Sequence, residues 1–172
     1  MAKDGRKAGI VLGVGAAIGG VILAIRAKAV PEPPPEQAGA TIAIQVFDEQ
    51  GRLVPASSPI TLEEGSRYTV VVLVTNQSTR AGQPSPATLF LLVMGNTDVR
   101  TILGLAKTRK DYAAGETKET THWMDVPAGS GGESGQIIAE VQDPNQNEVA
   151  STVEYFTIGM APIIYGATVT IS

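Results

Sequence analysis

The sequence predicts a mainly β protein, an immunoglobulin-like antiparallel β-sandwich preceded by a hydrophobic α-helix. Three observations lead to this prediction. Residues 8–25 carry no charged side chain, residues 30–39 are rich in proline, and from residue 40 onward the sequence breaks into short runs separated by turn residues. Within those runs apolar residues recur with a period of two, which is typical of half-buried strands. We therefore divide the chain into a helix with basic flanks (1–29), a proline-rich stalk (30–39) and a sandwich (40–172).

The hydrophobic segment is long enough to cross a bilayer. As an α-helix, its eighteen uncharged residues would span about 27 Å, close to the thickness of the hydrocarbon core. Five glycines interrupt it, and small residues at such spacings let helices approach closely in lipid or in a bundle. We expect it to contact a membrane or a helical bundle, packing against copies of itself or other structural subunits; a lone anchor is the alternative. The candidate packing residues are Gly9, Gly13, Gly15, Gly19 and Gly20.

Cleavage after this segment is a second alternative, because Ala27-Lys28-Ala29 resembles a signal-peptidase site. Two basic residues, Arg26 and Lys28, lie between the apolar run and the cut. The apolar region of a signal peptide normally runs directly into a small-residue cleavage site. We therefore expect the segment to be retained.

Charge is distributed unevenly along the chain. Residues 1–29 hold five basic and one acidic side chain, a net charge of +4, whereas residues 30–172 hold eight basic and sixteen acidic side chains, a net charge of −8. A basic root suits an anionic lipid surface. An acidic body lacks the basic footprint of a nucleic-acid-binding protein, so no nucleic-acid partner is expected.

The stalk is the most proline-rich part of the chain. Four of the five residues in the range 31–35 are proline, and proline disfavours both helix and central strand. A polyproline II conformation would extend residues 30–39 over about 30 Å. We interpret this segment as a spacer between helix and sandwich.

The strongest strand signal lies at residues 67–75. Tyr68, Val70, Val72 and Val74 would form one face, and apolar residues on the other face predict a central strand covered on both sides. Further strands are predicted at 40–47, 59–62, 88–94, 99–103, 117–124, 136–142, 148–158 and 163–171. Eight or nine short strands with regular turns are typical of a β-sandwich.

Three stretches resemble a known domain family. LEEGSRYTVVVLVTNQST (62–79), AAGETKETTHW (113–123) and GQIIAEVQDPNQNEVA (135–150) are similar to the CARDB type of immunoglobulin-like domain of bacteria and archaea. The resemblance covers roughly residues 60–157 and implies an adhesion, stalk or structural module without catalysis of its own. Separately, a hydrophobic helix followed by a sandwich resembles archaeal-type pilins, although the prolines directly after the helix depart from that pattern.

The residues needed for catalysis are mostly missing. The chain has no cysteine, which excludes disulfides, thiolate metal sites and a cysteine nucleophile. His122 is the only histidine, and no nucleophile elbow accompanies it. The sequence therefore predicts no catalytic residue, no cofactor and no enzymatic activity.

A short acidic turn offers the one metal alternative. Asp143, Asn145, Asn147 and Glu154 occupy positions 1, 3, 5 and 12 of a calcium-loop pattern. Position 6 of that pattern requires glycine, and Glu148 stands there. We interpret the segment as a hairpin turn, with a calcium site as the alternative.

Three further features concern surfaces. Trp123 is predicted in the core, and if exposed on an edge it would be an interface residue. Residues 107–110 form a basic cluster that we expect in a solvated loop. The final strand, with Val169 and Ile171, would pair with residues 40–47 or extend the sheet of a neighbouring subunit.

These features predict a non-catalytic assembly subunit. The helix would anchor it, and the sandwich would be displayed outside a cell or on a virion or surface filament, in contact with copies of itself through the helix and the sheet edges. A single-copy, membrane-anchored adhesin or binding module is the alternative.

Overall fold

The computed structural model describes residues 36–160. The hydrophobic segment with its five glycines, stalk residues 30–35 and the final strand with Val169 and Ile171 lie outside the described residues. Within residues 36–160 the chain is mainly β, and no helix there could cross a membrane.

Between residues 36 and 160, ten strands form two sheets and a small ribbon. The order is β1-β3-β8 in the three-stranded sheet, β2-β10-β9-β6-β7 in the five-stranded sheet and β4-β5 in the ribbon. All neighbours are antiparallel except β2 and β10, which are parallel. The strands are β1 Ala40–Phe47, β2 Ile60–Glu63, β3 Arg67–Asn76, β4 Thr79–Arg80, β5 Gln83–Pro84, β6 Ala87–Thr97, β7 Thr101–Tyr112, β8 Thr117–Asp125, β9 Ser134–Gln142 and β10 Glu148–Gly159.

The buried faces of both sheets contribute to one apolar core, as in a β-sandwich. Val70, Val72 and Val74 of β3 are almost completely buried, as are Val93 of β6 and Ile137 of β9. Each such side chain contributes about 1.5–3 kcal/mol through burial. Because the chain has no cysteine, no disulfide adds to this packing.

The prediction for β3 is confirmed in one respect and wrong in another. It is central, with β1 and β8 on its two sides. Its second face is not covered, since Val71 and Leu73 are only half-buried. A three-stranded sheet at the surface can pair its middle strand fully while one face meets solvent.

The strand predicted at residues 99–103 is present but much longer than expected, and the loop predicted at residues 107–110 is wrong. Thr101–Tyr112 forms one twelve-residue edge strand, β7, and residues 107–110 lie within it. Lys107 and Arg109 are exposed, whereas Thr108 and Lys110 are half-buried on the opposite side of the strand, which pairs with β6 along most of its length. Charged side chains are a common feature of exposed edges, where they discourage unwanted pairing.

Asn76 joins the elements at one end of the sandwich. Its amide Nδ2 donates to the carbonyl oxygens of Ser85 (2.8 Å) and Ala113 (2.9 Å), and its Oδ1 accepts from the Ser78 N–H (2.9 Å). Asn76 and Ser78 are buried. We call this the lower end; here the described chain begins, with Gln37 paired to Thr79. The upper end is where β3 begins and β10 ends.

Candidate ligand-binding surface

Trp123 lies on the solvent-facing side of β8 and is 65% exposed. Successive residues of a strand point to opposite faces, and its neighbour Met124 is completely buried. The prediction that Trp123 belongs to the core is therefore wrong, and its environment is that of the alternative, an exposed residue on an edge strand.

Trp123 belongs to a row of side chains that crosses the upper end of the three-stranded sheet. Strand register places Leu53 opposite Phe47, Phe47 opposite Thr69, and Thr69 opposite Trp123. Paired residues of neighbouring strands share a face, and three strand spacings amount to about 14 Å. We call these four residues the upper row; Leu53 is 53% exposed and Phe47 is half-buried.

Arg67 fixes one end of the upper row. Its Nε and Nη2 donate to the two carboxylate oxygens of Asp125 at 2.6 and 3.1 Å, and its guanidinium carbon lies 6.0 Å from the centre of the Trp123 ring. The Arg67 backbone N–H donates to Glu49 Oε1 at 3.0 Å. This pairing lowers the pKa of Asp125 and raises that of Arg67. Both ions therefore remain charged at neutral pH beside the tryptophan.

A cleft of about 660 Å³ borders the upper row. It lies among the β1–β2 connection, β2 and the start of β3. Its lining includes Leu53, which is one end of the row, and Arg67, which lies beside Trp123 at the other end. Its volume is in the range of small-molecule sites. The side chains that give it a polar wall are Asp48, Glu49, Gln50, Arg52, Glu63 and Arg67.

The polar groups of the cleft are ordered by local hydrogen bonds. Asp48 accepts from Arg52, whose Nε lies 2.7 Å from Asp48 Oδ2, and this bond is the main reason that the pKa of Asp48 is lowered. The hydroxyl of Tyr68 accepts from the Glu63 N–H at 2.8 Å, and burial raises the pKa of this phenol. The cleft thus offers carboxylate acceptors beside guanidinium donors.

His122 points to the inner side of β8 and is half-buried. Burial, followed by the charge of Lys110 on β7, lowers its pKa. Its Nε2, and Oγ1 of the neighbouring inward-facing Thr120, form no hydrogen bond within the described residues. His122 and the upper row lie on opposite faces of the sheet, so the structure does not bring them together.

The acidic turn at residues 143–147 joins β9 to β10, as predicted for a hairpin. The carboxylate of Asp143 accepts from the N–H of Asn145 (2.8 Å), the N–H of Asn147 (2.9 Å) and Asn147 Nδ2 (2.9 Å), and these bonds lower its pKa. Glu154 lies within β10, paired with Ile137 of β9. Among residues 36–160, no cluster of three or more acidic, histidine or cysteine side chains could hold a metal ion.

The upper row and the cleft were missed by sequence reasoning. Their residues come from β1, β2, β3, β8 and the β1–β2 connection, and only strand register brings them together. One usable signal was present: Trp123 follows Thr117, Glu119 and Thr121 on an alternating strand. Because these residues on the same face are polar, the alternation indicates that Trp123 faces solvent.

No protein-family model matches the chain, and no curated protein matches it. Solved structures give partial likenesses. A β-glucuronidase from Bacteroides uniformis is 16% identical with a TM-score of 0.44, over 68% of this chain and 12% of that one. Spo0M, a sporulation control protein from Bacillus subtilis, is 9% identical with a TM-score of 0.43, over 72% and 51%. A Niemann-Pick type C2 protein from the Japanese carpenter ant is 10% identical with a TM-score of 0.41, over 74% and 97%.

This chain spans less than two thirds of the length of the β-glucuronidase and of Spo0M.

Proposed function

We propose that the chain is a non-catalytic structural subunit that displays an immunoglobulin-like sandwich on a virion or a cell-surface filament. Residues 1–29 would anchor it in a membrane or helical bundle, and residues 30–39 would act as the spacer. The observation that carries this proposal is that the two ends of the sandwich differ. The described chain begins at the lower end, where Gln37 pairs with Thr79, whereas the upper row and the cleft lie at the opposite end.

The strand order supports the immunoglobulin-like part of the proposal. The β1-β3-β8 sheet has the order of strands A, B and E of such sandwiches, and β10-β9-β6-β7 has that of G, F, C and C′. The parallel strand β2 at the edge of the second sheet is an addition to the antiparallel pattern we predicted.

Contacts between copies are proposed mainly through residues 1–29. Along the edge strand β7, Lys107, Arg109 and Lys110 place three positive charges, which oppose pairing with the same edge of a second copy. The glycines of the hydrophobic segment instead allow close helix packing. Sheet edges would contribute after the helices have brought the copies together.

Particle mass tests this proposal. The full chain, purified in mild detergent and then transferred to buffer, should form a large particle or filament by electron microscopy, and a variant lacking residues 1–29 should be monomeric. Gly15→Leu should weaken assembly because it removes a close-packing site, whereas the matched control Val14→Leu should not. A full chain that stays monomeric, or a truncated chain that still assembles, would contradict the proposal.

The upper row favours a second candidate function, a single-copy membrane-anchored adhesin or binding module. An exposed tryptophan near a cleft is more useful to a binding protein than to a passive spacer. In that case the chain should remain monomeric in detergent, and the sandwich alone should retain the affinity of the full chain for its partner.

A further inference from the structure

We infer that the upper row and the adjoining cleft form a binding site for a neutral oligosaccharide. The inference goes beyond the proposed function and is compatible with either candidate, because it concerns what the upper end recognises and not how copies of the chain assemble.

The upper row supplies an apolar platform. Two aromatic rings, Phe47 and Trp123, lie on one row with Thr69 between them. Two strand spacings separate them by about 9.5 Å, a distance that a short oligosaccharide spans. A sugar ring has an apolar face of C–H groups that packs on an aromatic ring, and its rim of hydroxyls remains free for hydrogen bonds.

Arg67, the charged neighbour of the platform, is held in place before any ligand arrives. The Arg67 guanidinium beside Trp123 is fixed by two hydrogen bonds to Asp125, and the Arg67 backbone is tied to Glu49. A ring whose neighbours are already ordered loses less conformational entropy on binding than a free side chain.

The chemistry of the cleft selects the class of ligand. Its wall carries three carboxylates (Asp48, Glu49 and Glu63) and two guanidinium groups (Arg52 and Arg67), so three negative and two positive charges leave a net charge of −1. A phosphate or sulfate would meet the three carboxylates, and an apolar ligand would bury polar groups without partners. Hydroxyl groups both donate and accept, so a neutral ligand rich in hydroxyls satisfies both kinds of group.

Exposure of the platform is not required for folding. The other outward residues of β8 include Thr117, Glu119 and Thr121, which are exposed and polar as expected for a solvent-facing strand. A polar residue at position 123 would fit the same backbone. Trp123 therefore leaves a large apolar surface in water, which favours a role in recognition.

Trp123 is the only tryptophan of the chain, so intrinsic fluorescence reports on this site alone. The full chain in detergent should be titrated with soluble β-glucan, xylan, mannan and chitohexaose, and with heparin as an anionic comparison. We expect a saturable change in emission with at least one neutral glycan and none with heparin. No saturable change with any neutral glycan would overturn the inference, as would a response to heparin alone.

Three substitutions locate the site, with affinities measured by calorimetry. Trp123→Ala should lower the affinity for the responding glycan at least about tenfold, and Leu53→Ala should lower it several-fold. Leu105→Ala is the matched control, because Leu105 is also an exposed leucine (67%) but lies on β7 of the other sheet. The affinity of this variant for the glycan should be unchanged. Equal affinity in Trp123→Ala and the unsubstituted chain would overturn the inference.

A protein occupant would give a different result. If emission changes with the concentration of the chain itself, or with an added protein but not with any glycan, the upper row is a protein interface and the oligosaccharide site is rejected. Particle mass is measured separately, so loss of glycan binding leaves the assembly proposal standing, and loss of assembly leaves the glycan site standing.

Discussion

The two ends of the sandwich use polar side chains in opposite ways. At the lower end, the amide of Asn76 is buried and its hydrogen bonds all go to backbone groups of neighbouring segments. At the upper end, Arg67 and Asp125 are paired but exposed, beside an exposed Trp123. Buried polar groups with complete partners fix a structure, whereas ordered groups open to solvent remain available to a ligand. The comparison assigns a stabilising role to the buried amide of Asn76 and a role in recognition to the exposed Trp123 with its ion pair.

The largest effect on stability is expected at Gly135 of β9, in the five-stranded sheet at the upper end. A Cβ atom on Gly135 would lie 2.3 Å from the backbone oxygen of Asn96 and 2.4 Å from the ring of Phe156. Gly135→Ala should therefore lower the free energy of unfolding by about 3 kcal/mol, measured by urea denaturation.

Gly104→Ala is the control for that substitution. Nothing lies within 4 Å of the Cβ position at Gly104 on β7. Its free energy of unfolding should change by less than about 1 kcal/mol. If Gly135→Ala is as stable as Gly104→Ala, the upper end is less tightly packed than the structure shows.

The next effect tests the lower end. Asn76→Ala would remove three hydrogen bonds and leave the carbonyl groups of Ser85 and Ala113 without this donor. The free energy of unfolding should fall by about 2 kcal/mol. The exposed neighbour Gln77, substituted as Gln77→Ala, should have little effect, and equal effects of the two would show that the buried amide does not stabilise this end.

A smaller effect should appear in the pH dependence of stability. Burial and Lys110 lower the pKa of His122 from its ordinary value of 6.5, so below pH 6.5 the unfolded chain binds more protons than the folded one. The free energy of unfolding should therefore fall as the pH drops from 6.5 through the lowered pKa of the folded state. His122→Gln should remove this part of the pH dependence of the free energy of unfolding. If the pH dependence is unchanged in that variant, other groups cause it.

Acidic groups act in a separate window. The pKa values of Asp48, Asp125 and Asp143 are lowered from 3.8 by their hydrogen-bond partners. Their contribution is present above pH 3.8 and is lost only as the pH falls through the lower pKa values of the folded state. The slope between pH 6.5 and 5 can thus be assigned to His122 without interference from these carboxylates.

The smallest effect on stability is expected at the residue with the largest expected effect on binding. Trp123→Ala should change the free energy of unfolding by no more than about 0.5 kcal/mol, because its side chain is mostly exposed. Urea denaturation monitored by circular dichroism measures the free energy of unfolding, since this variant has no tryptophan fluorescence to follow. A loss above 2 kcal/mol would place Trp123 among the residues that stabilise the sandwich, which is the role of Asn76.

The sequence predicts most of the strands, but not which side chains lie exposed on the surface. The alternating valines of β3 and the turn at Asp143 identified a central strand and a hairpin, since periodicity and turn chemistry are local. The position of Trp123 was wrong because aromatic residues favour strands on either face. Residues 107–110 were placed in a loop because their charge outweighed an alternation that only pairing with β6 makes visible.

The cleft could not be predicted at all. It requires Leu53 and Arg67 to meet at one end of a sheet, and their distance in the sequence says nothing about strand register. The same holds for Asn76. It directly follows the strand predicted at residues 67–75, but its buried amide has partners at Ser85 and Ala113, which local sequence does not identify.

The central proposal is tested most directly by cryo-electron microscopy of the protein in its native assembled form. The images give the copy number and the symmetry of the assembly. We predict a repeating assembly in which residues 1–29 of many copies lie together and the upper ends, with Trp123, face outward. Isolated single copies, or a repeat in which the upper ends are buried against one another, would contradict it.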